Sequence, residues 1–349
     1  MSSIKNKINK LLFEKIETDF HNDNKLVDAL HLLLNGNFIK YDFENVNISL
    51  SNLKSDDFQT EMFKLNEKSS KRKKNGVYYT PNDVSEYIIA NSFINFIDNS
   101  INKTINYNEI YNTLIKYDNE KLNKILFNCK ILDPTCGSGE FLLNTFIMKH
   151  NLLKETKNVD DENILKITKT LYGNDIDDES TDISKIRLFM YVYSLLENKD
   201  YYKKLTKILI NNFTNYDFVL DSNKINNKFE IVVGNPPYVE YGKYDGKEKL
   251  INKYGNIYAD VIKNSIDLLK CGGILGFIVP LSYVATTRMS KIREYVTEKC
   301  SKQILLSFAD RPDCLFSGVH QKLNIVIFQK NYNKKKKIYV SNYKHWYKE

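Results

Sequence analysis

The sequence predicts an α/β protein with a mostly parallel sheet, preceded by a separate helical segment. From about residue 129 onward, short apolar runs of strand length alternate with segments of helix length, the pattern of a parallel sheet with crossover helices. Three of these runs end on or close to a carboxylate, at Asp133, Asp175 and Asp217, and the fourth runs into Asn235-Pro236-Pro237-Tyr238. Residues 1–70 differ in kind. They contain no proline, and Leu11, Leu12, Ile16, Leu26, Leu30, Leu33 and Leu34 recur near helical spacing.

The elements follow in order. The run Lys71-Arg72-Lys73-Lys74 and Gly76 form a loop, and Thr80-Pro81-Asn82-Asp83 opens a helix, with Thr80 expected at the N-cap and Pro81 at the first helical position. That helix carries Val84, Tyr87, Ile88, Ile89 and Phe93. In the first strand unit, Ile131-Leu132-Asp133-Pro134-Thr135-Cys136-Gly137-Ser138-Gly139, the strand ends at Asp133, and two glycines let the backbone approach a ligand before a helix begins. A strand-end carboxylate suits a ligand amino group better than a phosphate. In the second unit, Leu171 to Asp177, Asp175 can take ribose hydroxyls. A surface turn is the alternative for this second unit; in the third, Asp217 and Phe218 can hold the edge and face of an adenine.

The fourth unit ends the apolar run Phe229 to Gly234 in a rigid turn. Two prolines fix φ and donate no N–H, and each restricts the residue before it, so the carbonyls around Pro236 point in set directions. Asn235 adds a side-chain acceptor and Tyr238 a ring face. An exocyclic amine on a purine is a poor nucleophile, because its lone pair is delocalised into the ring. Two acceptors on its hydrogens favour pyramidalisation and stabilise the positive charge that develops as it attacks an electrophilic methyl group. Without that chemistry, the motif is a tight Asn-Pro turn capping a strand.

Composition narrows the choices. The 349 residues suffice for one large α/β domain and an accessory piece. The five cysteines, including Cys136, show no CxxC pairing, and the histidines form no cluster, so neither a metal nor a disulfide framework is expected. No run approaches the ~18 apolar residues of a membrane span, and a reduced, cytoplasmic protein is expected. The net charge of +8 equals the charge of Lys71-Arg72-Lys73-Lys74 and Lys334-Lys335-Lys336-Lys337 together. Such runs fit phosphate contacts beside a nucleic-acid site, although solvated loops would look the same.

Taken in order, an acidic Gly-x-Gly loop, acidic ends after strands 2 and 3, and Asn-Pro-Pro-Tyr after strand 4 resemble the amino-methyltransferases that use S-adenosylmethionine. With Gly76-Val77-Tyr78-Tyr79-Thr80-Pro81 upstream, the chain is similar over roughly residues 72 to 330 to the gamma-order DNA N6-adenine methyltransferases of restriction-modification systems. The resemblance implies a Rossmann-like fold with a mixed, mostly parallel seven-stranded sheet flanked by helices. It also implies roles. Thr80 and Asp133 would contact the methionine part of the cofactor, with Cys136 and Gly137 offering backbone to its carboxylate and Gly139 completing the loop. Asp175 would bind the ribose hydroxyls and Ile176 pack on the adenine, while Asp217 and Phe218 take its amino group and ring. Asn235 and the Pro236 carbonyl would accept from the target amine, with Pro237 stiffening the turn. Tyr238 would stack on the flipped base and Phe316 supply the opposite contact. The target must leave the duplex because its amine is otherwise buried in base pairing.

The expected organisation is a helical accessory segment over 1–70, a catalytic domain over 71–331 and a basic, aromatic tail over 332–349 without a full target recognition domain. Double-stranded DNA is the expected partner, together with a separate specificity subunit. A cytosine-C5 mechanism would need Pro-Cys where this chain has Pro-Pro. No Pro-Asp…Glu-x-Lys nuclease arrangement occurs in the first 80 residues, so modification alone is expected. Two other functions fit a planar amide or amine site: methylation of RNA or of a protein glutamine, and a non-catalytic scaffold in a defence complex.

Overall fold

The computed structural model describes residues 24–34, 80–101, 103–156, 159–250, 254–310, 321–331 and 335–344. Of the N-terminal segment it describes one helix, α1 (Asn24–Leu33), whose Leu26, Leu30 and Leu33 are fully buried. The spacing of these leucines is the helical one anticipated. Next come α2 (Asn82–Ile97), α3 (Tyr107–Leu114) and α4 (Asn119–Asn128).

The first half of the sheet is built from β1 (Ile131–Asp133), α5 (Glu140–Glu155), α6 (Asp161–Thr168), β2 (Leu171–Asn174), α7 (Asp178–Leu195), α8 (Tyr202–Asn212) and β3 (Phe213–Thr214). A short helix α9 (Phe218–Asp221), β4 (Phe229–Gly234), α10 (Ile257–Leu268) and β5 (Leu269–Pro280) follow. The chain continues through α11 (Ser282–Ala285), α12 (Ser290–Lys299), β6 (Cys300–Phe308), β7 (Leu323–Lys330) and β8 (Lys337–Val340).

The strands lie in the order β3-β2-β1-β4-β5-β7-β6-β8. Strands β3 to β5 are parallel neighbours, β7 runs antiparallel between β5 and β6, and β8 pairs parallel with β6. The predicted α/β class and mostly parallel sheet are therefore present, but among the described residues the sheet has eight strands where seven were expected. The additional strand comes from the stretch read as a tail. Alternation across the pleat divides the core into two layers: Ile231 and Val233 join the cluster with α2, α5 and α7, and Val232 joins the one with α10 and α12.

Strand β1 lies between β2 and β4, so the chain turns to opposite sides of the sheet at this point. The carboxyl ends of the strands flanking such a reversal form a crevice, which is where open α/β sheets bind ligands. Among the described residues, no helix is long and apolar enough to cross a membrane, and no group of His, Cys, Asp and Glu is placed to hold a metal ion.

Candidate active site

The crevice encloses about 270 Å³ and is lined by Asp175, Ile176, Asp217, Phe218, Asn235 and Pro237, among others. Among the described residues its charged lining is lopsided: Asp175, Asp177, Glu179, Asp217 and Asp245 face one cation, Lys243. Such a lining suits hydroxyl and amino groups and repels phosphates. The exposed Ile176 and the buried Phe218 supply apolar surface.

The loop after β1 is held by its neighbours. Gly139 takes a left-handed φ of 84° at the start of α5, and a Cβ there would lie 2.2 Å from Ser184 Oγ, so glycine is required. The N–H of Cys136 donates to Asn174 O and that of Gly137 to Asp175 Oδ2, both at 2.8 Å. The backbone donors expected to meet a ligand carboxylate are thus bonded to protein here. Asp175 Oδ1 also accepts from Asp177 N–H. Beneath the loop, Arg187 donates to Ser138 O and pairs with Glu140 at 3.0 Å, all three groups being buried.

Asp133 is 2% exposed and accepts from Thr135 N–H at 3.2 Å. Burial pushes its carboxyl well above the usual carboxylate range, and the neighbouring Asp175 charge adds to the rise. It also explains Gly234: a Cβ there would come within 2.7 Å of Asp133 Oδ1. Asp217 lies three residues beyond the end of β3 and caps α9, its Oδ1 accepting from the N–H groups of Val219 and Leu220. Its Oδ2 accepts from the Tyr244 hydroxyl at 2.5 Å. The loop that follows Asn-Pro-Pro-Tyr therefore folds back over the crevice.

At that motif, Pro236 is buried and the Tyr238 hydroxyl donates to Ile278 O at 3.1 Å. The Tyr238 ring meets Tyr258 edge-on, with centroids 6.2 Å apart. Asn235 Nδ2 donates to Thr80 Oγ1 at 3.1 Å. Thr80 does not cap α2: Pro81 occupies the cap position, and its carbonyl accepts from the N–H groups of Val84 and Ser85. The helix thus begins one residue later than expected, leaving the threonine hydroxyl to Asn235.

The structure thus joins Asp175, Ile176, Asp217, Phe218, Asn235 and Pro237 around one crevice. Thr80, Asp133 and Gly137 attach to it through neighbours, and Tyr238 is tethered beside it. Phe316 and Lys71, Arg72, Lys73 and Lys74 lie outside the described residues. Sequence reasoning missed Asn174, which is fully buried at the end of β2. Its Nδ2 donates to the carbonyls of Pro134 and Tyr216, and its Oδ1 accepts from Thr214 Oγ1 and Tyr216 N–H. One side chain binds the loops after β1 and β3 to each other; its place directly before Asp175 was the available signal.

Residues 169–314 match the Eco57I restriction-modification methylase family. The type II restriction enzyme and methyltransferase RM.Eco57I of Escherichia coli is 28% identical over 247 residues, which are 57% of this chain and 24% of that protein. The type II methyltransferase M.BanIII of Aneurinibacillus aneurinilyticus is 27% identical over 260 residues, 71% of this chain and 37% of its own length. This chain therefore spans well under half of these relatives. Among solved structures, the DrdV-DNA complex covers 98% of the chain and 37% of its own, with TM-score 0.62 and 12% identity. The M protein of the type I restriction enzyme EcoKI covers 97% and 71%, with TM-score 0.52 and 14% identity. The fold is the one these solved structures share. Over residues 169–314 the chain is similar to the Eco57I-type restriction-modification methylases, and this likeness implies S-adenosylmethionine as the methyl donor. The acidic, partly apolar lining fits that cofactor's amino, hydroxyl and adenine groups.

Proposed function

We propose that this chain methylates the N6 amine of a flipped adenine in double-stranded DNA, as the modification component of a restriction-modification or related defence system. The observation that carries this reading is the position of Asn235, at the end of β4 and on the wall of the crevice that also holds Asp175, Asp217 and Phe218. An acceptor for amine hydrogens thus adjoins a nucleoside-binding cavity.

When bound, S-adenosylmethionine supplies an electrophilic methyl group on a sulfonium. Asp133, Asp175 and Ile176 would hold it, together with Asp217, Phe218 and the loop from Cys136 to Gly139. Asn235 Oδ1 and Pro236 O would accept the two hydrogens of the target amine, and Tyr238 would stack on the base. The amine nitrogen would take the methyl group that the sulfonium gives up, and the surplus proton of the amine would leave to water. Asn, Pro and Tyr offer no nucleophile, so no covalent bond to the protein is required. Adenine is preferred to cytosine because asparagine at the first motif position resembles the adenine enzymes. Target choice is assigned to a separate specificity subunit. The basic run Lys71 to Lys74 is assigned to DNA phosphates and Phe316 to the second face of the base.

Asn235→Ala is expected to lower transfer by at least ~100-fold, the scale of losing a preorganised transition-state hydrogen bond, while calorimetry shows cofactor binding retained. Transfer that survives the substitution contradicts the assignment.

A further inference from the structure

Thr80 and Asn235 are 155 positions apart in the chain, and their side chains share a 3.1 Å hydrogen bond. Each stands immediately before a proline, Pro81 or Pro236. A following proline bars the helical region, so the backbone at both ends of this hydrogen bond is confined to extended conformations. Thr80 is 4% exposed, which leaves little access for water to compete. Its position is fixed further through α2, where Ser85 Oγ accepts from Asn144 Nδ2 at 2.6 Å, and Asn144 also reaches Glu140 at the start of α5. The threonine is thereby tied to the same loop that shapes the crevice.

An asparagine amide has a donor end and an acceptor end, and they are not interchangeable. With Nδ2 held by the threonine oxygen, Oδ1 faces the other way. Rotated by half a turn, the same side chain would present hydrogens to an amine that itself needs acceptors. We propose that Thr80 is a positioning residue for amine methylation, its hydroxyl holding the Asn235 amide in the orientation that offers Oδ1 to the acceptor. This inference rests on the reading of Asn235 as the acceptor-binding residue. It gives Thr80 a role distinct from contact with the methionine part of the cofactor, and the two roles predict losses in different quantities.

The experiment compares Thr80→Val, which keeps the shape and removes the hydroxyl, with Thr80→Ser, which keeps the hydroxyl. Protein labelled with 15N-asparagine gives the side-chain NH2 signal of Asn235, identified by its disappearance in Asn235→Asp. In Thr80→Val, these amide hydrogens are expected to exchange with water at least about tenfold faster, the scale of one lost hydrogen bond. kcat on DNA falls about tenfold or more while the cofactor Kd stays within about twofold. Thr80→Ser restores exchange and kcat to within about threefold. Unchanged exchange and rate in Thr80→Val overturn the proposal. So does a Thr80→Ser variant as impaired as Thr80→Val, which would mark a packing role, or a loss of cofactor affinity with kcat retained, which would mark a cofactor contact. If the wild-type protein, alone and with candidate specificity subunits, transfers no methyl group to DNA, the proposed function fails, and the exchange measurement still decides whether Thr80 orients Asn235.

Discussion

Asp133 shows what the site costs the fold. A carboxyl whose pKa is raised in the folded state stabilises that state only while protonated. The stability is fully present below the ordinary carboxylate range and is lost as pH rises toward the raised value. At neutral pH the neutral, near-isosteric amide therefore removes a penalty. Asp133→Asn is expected to unfold with a free energy equal to the wild type or higher by about 1 kcal/mol, with cofactor affinity lower by about tenfold or more. Denaturant unfolding and calorimetry check the two halves, and a less stable variant with unchanged affinity contradicts both. Asp133 and Asp175 were legible in the sequence because each ends or directly follows an apolar run. Thr80 was legible as a position but not in its bonding. A threonine before a proline reads as a helix cap, and its actual partner lies 155 residues away.

At the scale of elements, the crevice depends on strand ends being held together. Asn174 does this with four hydrogen bonds across the loops after β1 and β3. Asn174→Ala leaves buried carbonyl and N–H groups without that partner, a loss of about 2 kcal/mol or more. Denaturant unfolding is expected to show this drop, and cofactor titration a matching weakening; unchanged stability contradicts the staple. The ends of β1, β2 and β4 could be read from the sequence, since buried parallel strands are continuous apolar runs with clear stops. The end of β3 could not. That strand has two residues, Phe213 and Thr214, and Asp217 follows it as the cap of α9.

At the scale of the whole molecule, the α/β class and the mostly parallel sheet were readable, but the number of strands was not. β8 carries Lys337, Ile338, Tyr339 and Val340 at the edge of the sheet, with Ile338 and Val340 more than half exposed. A lysine beside exposed apolar residues is how an edge strand keeps itself from pairing with another chain, and in sequence it has the look of a tail. The family match over 169–314 covers β2 through β6 and the Asn-Pro-Pro-Tyr turn, while Asp133 and the glycine loop lie before it. The common fold of this region supports methyl transfer generally, so the choice among DNA, RNA and protein glutamine rests on the acceptor.

The direct test is mass spectrometry of nucleosides from double-stranded DNA incubated with the protein, alone and with candidate specificity subunits, and with methyl-labelled S-adenosylmethionine. The account predicts label in N6-methyladenine, lost in Asn235→Ala. Label confined to N4-methylcytosine, to RNA or to protein glutamine, or no transfer under any combination, would contradict it.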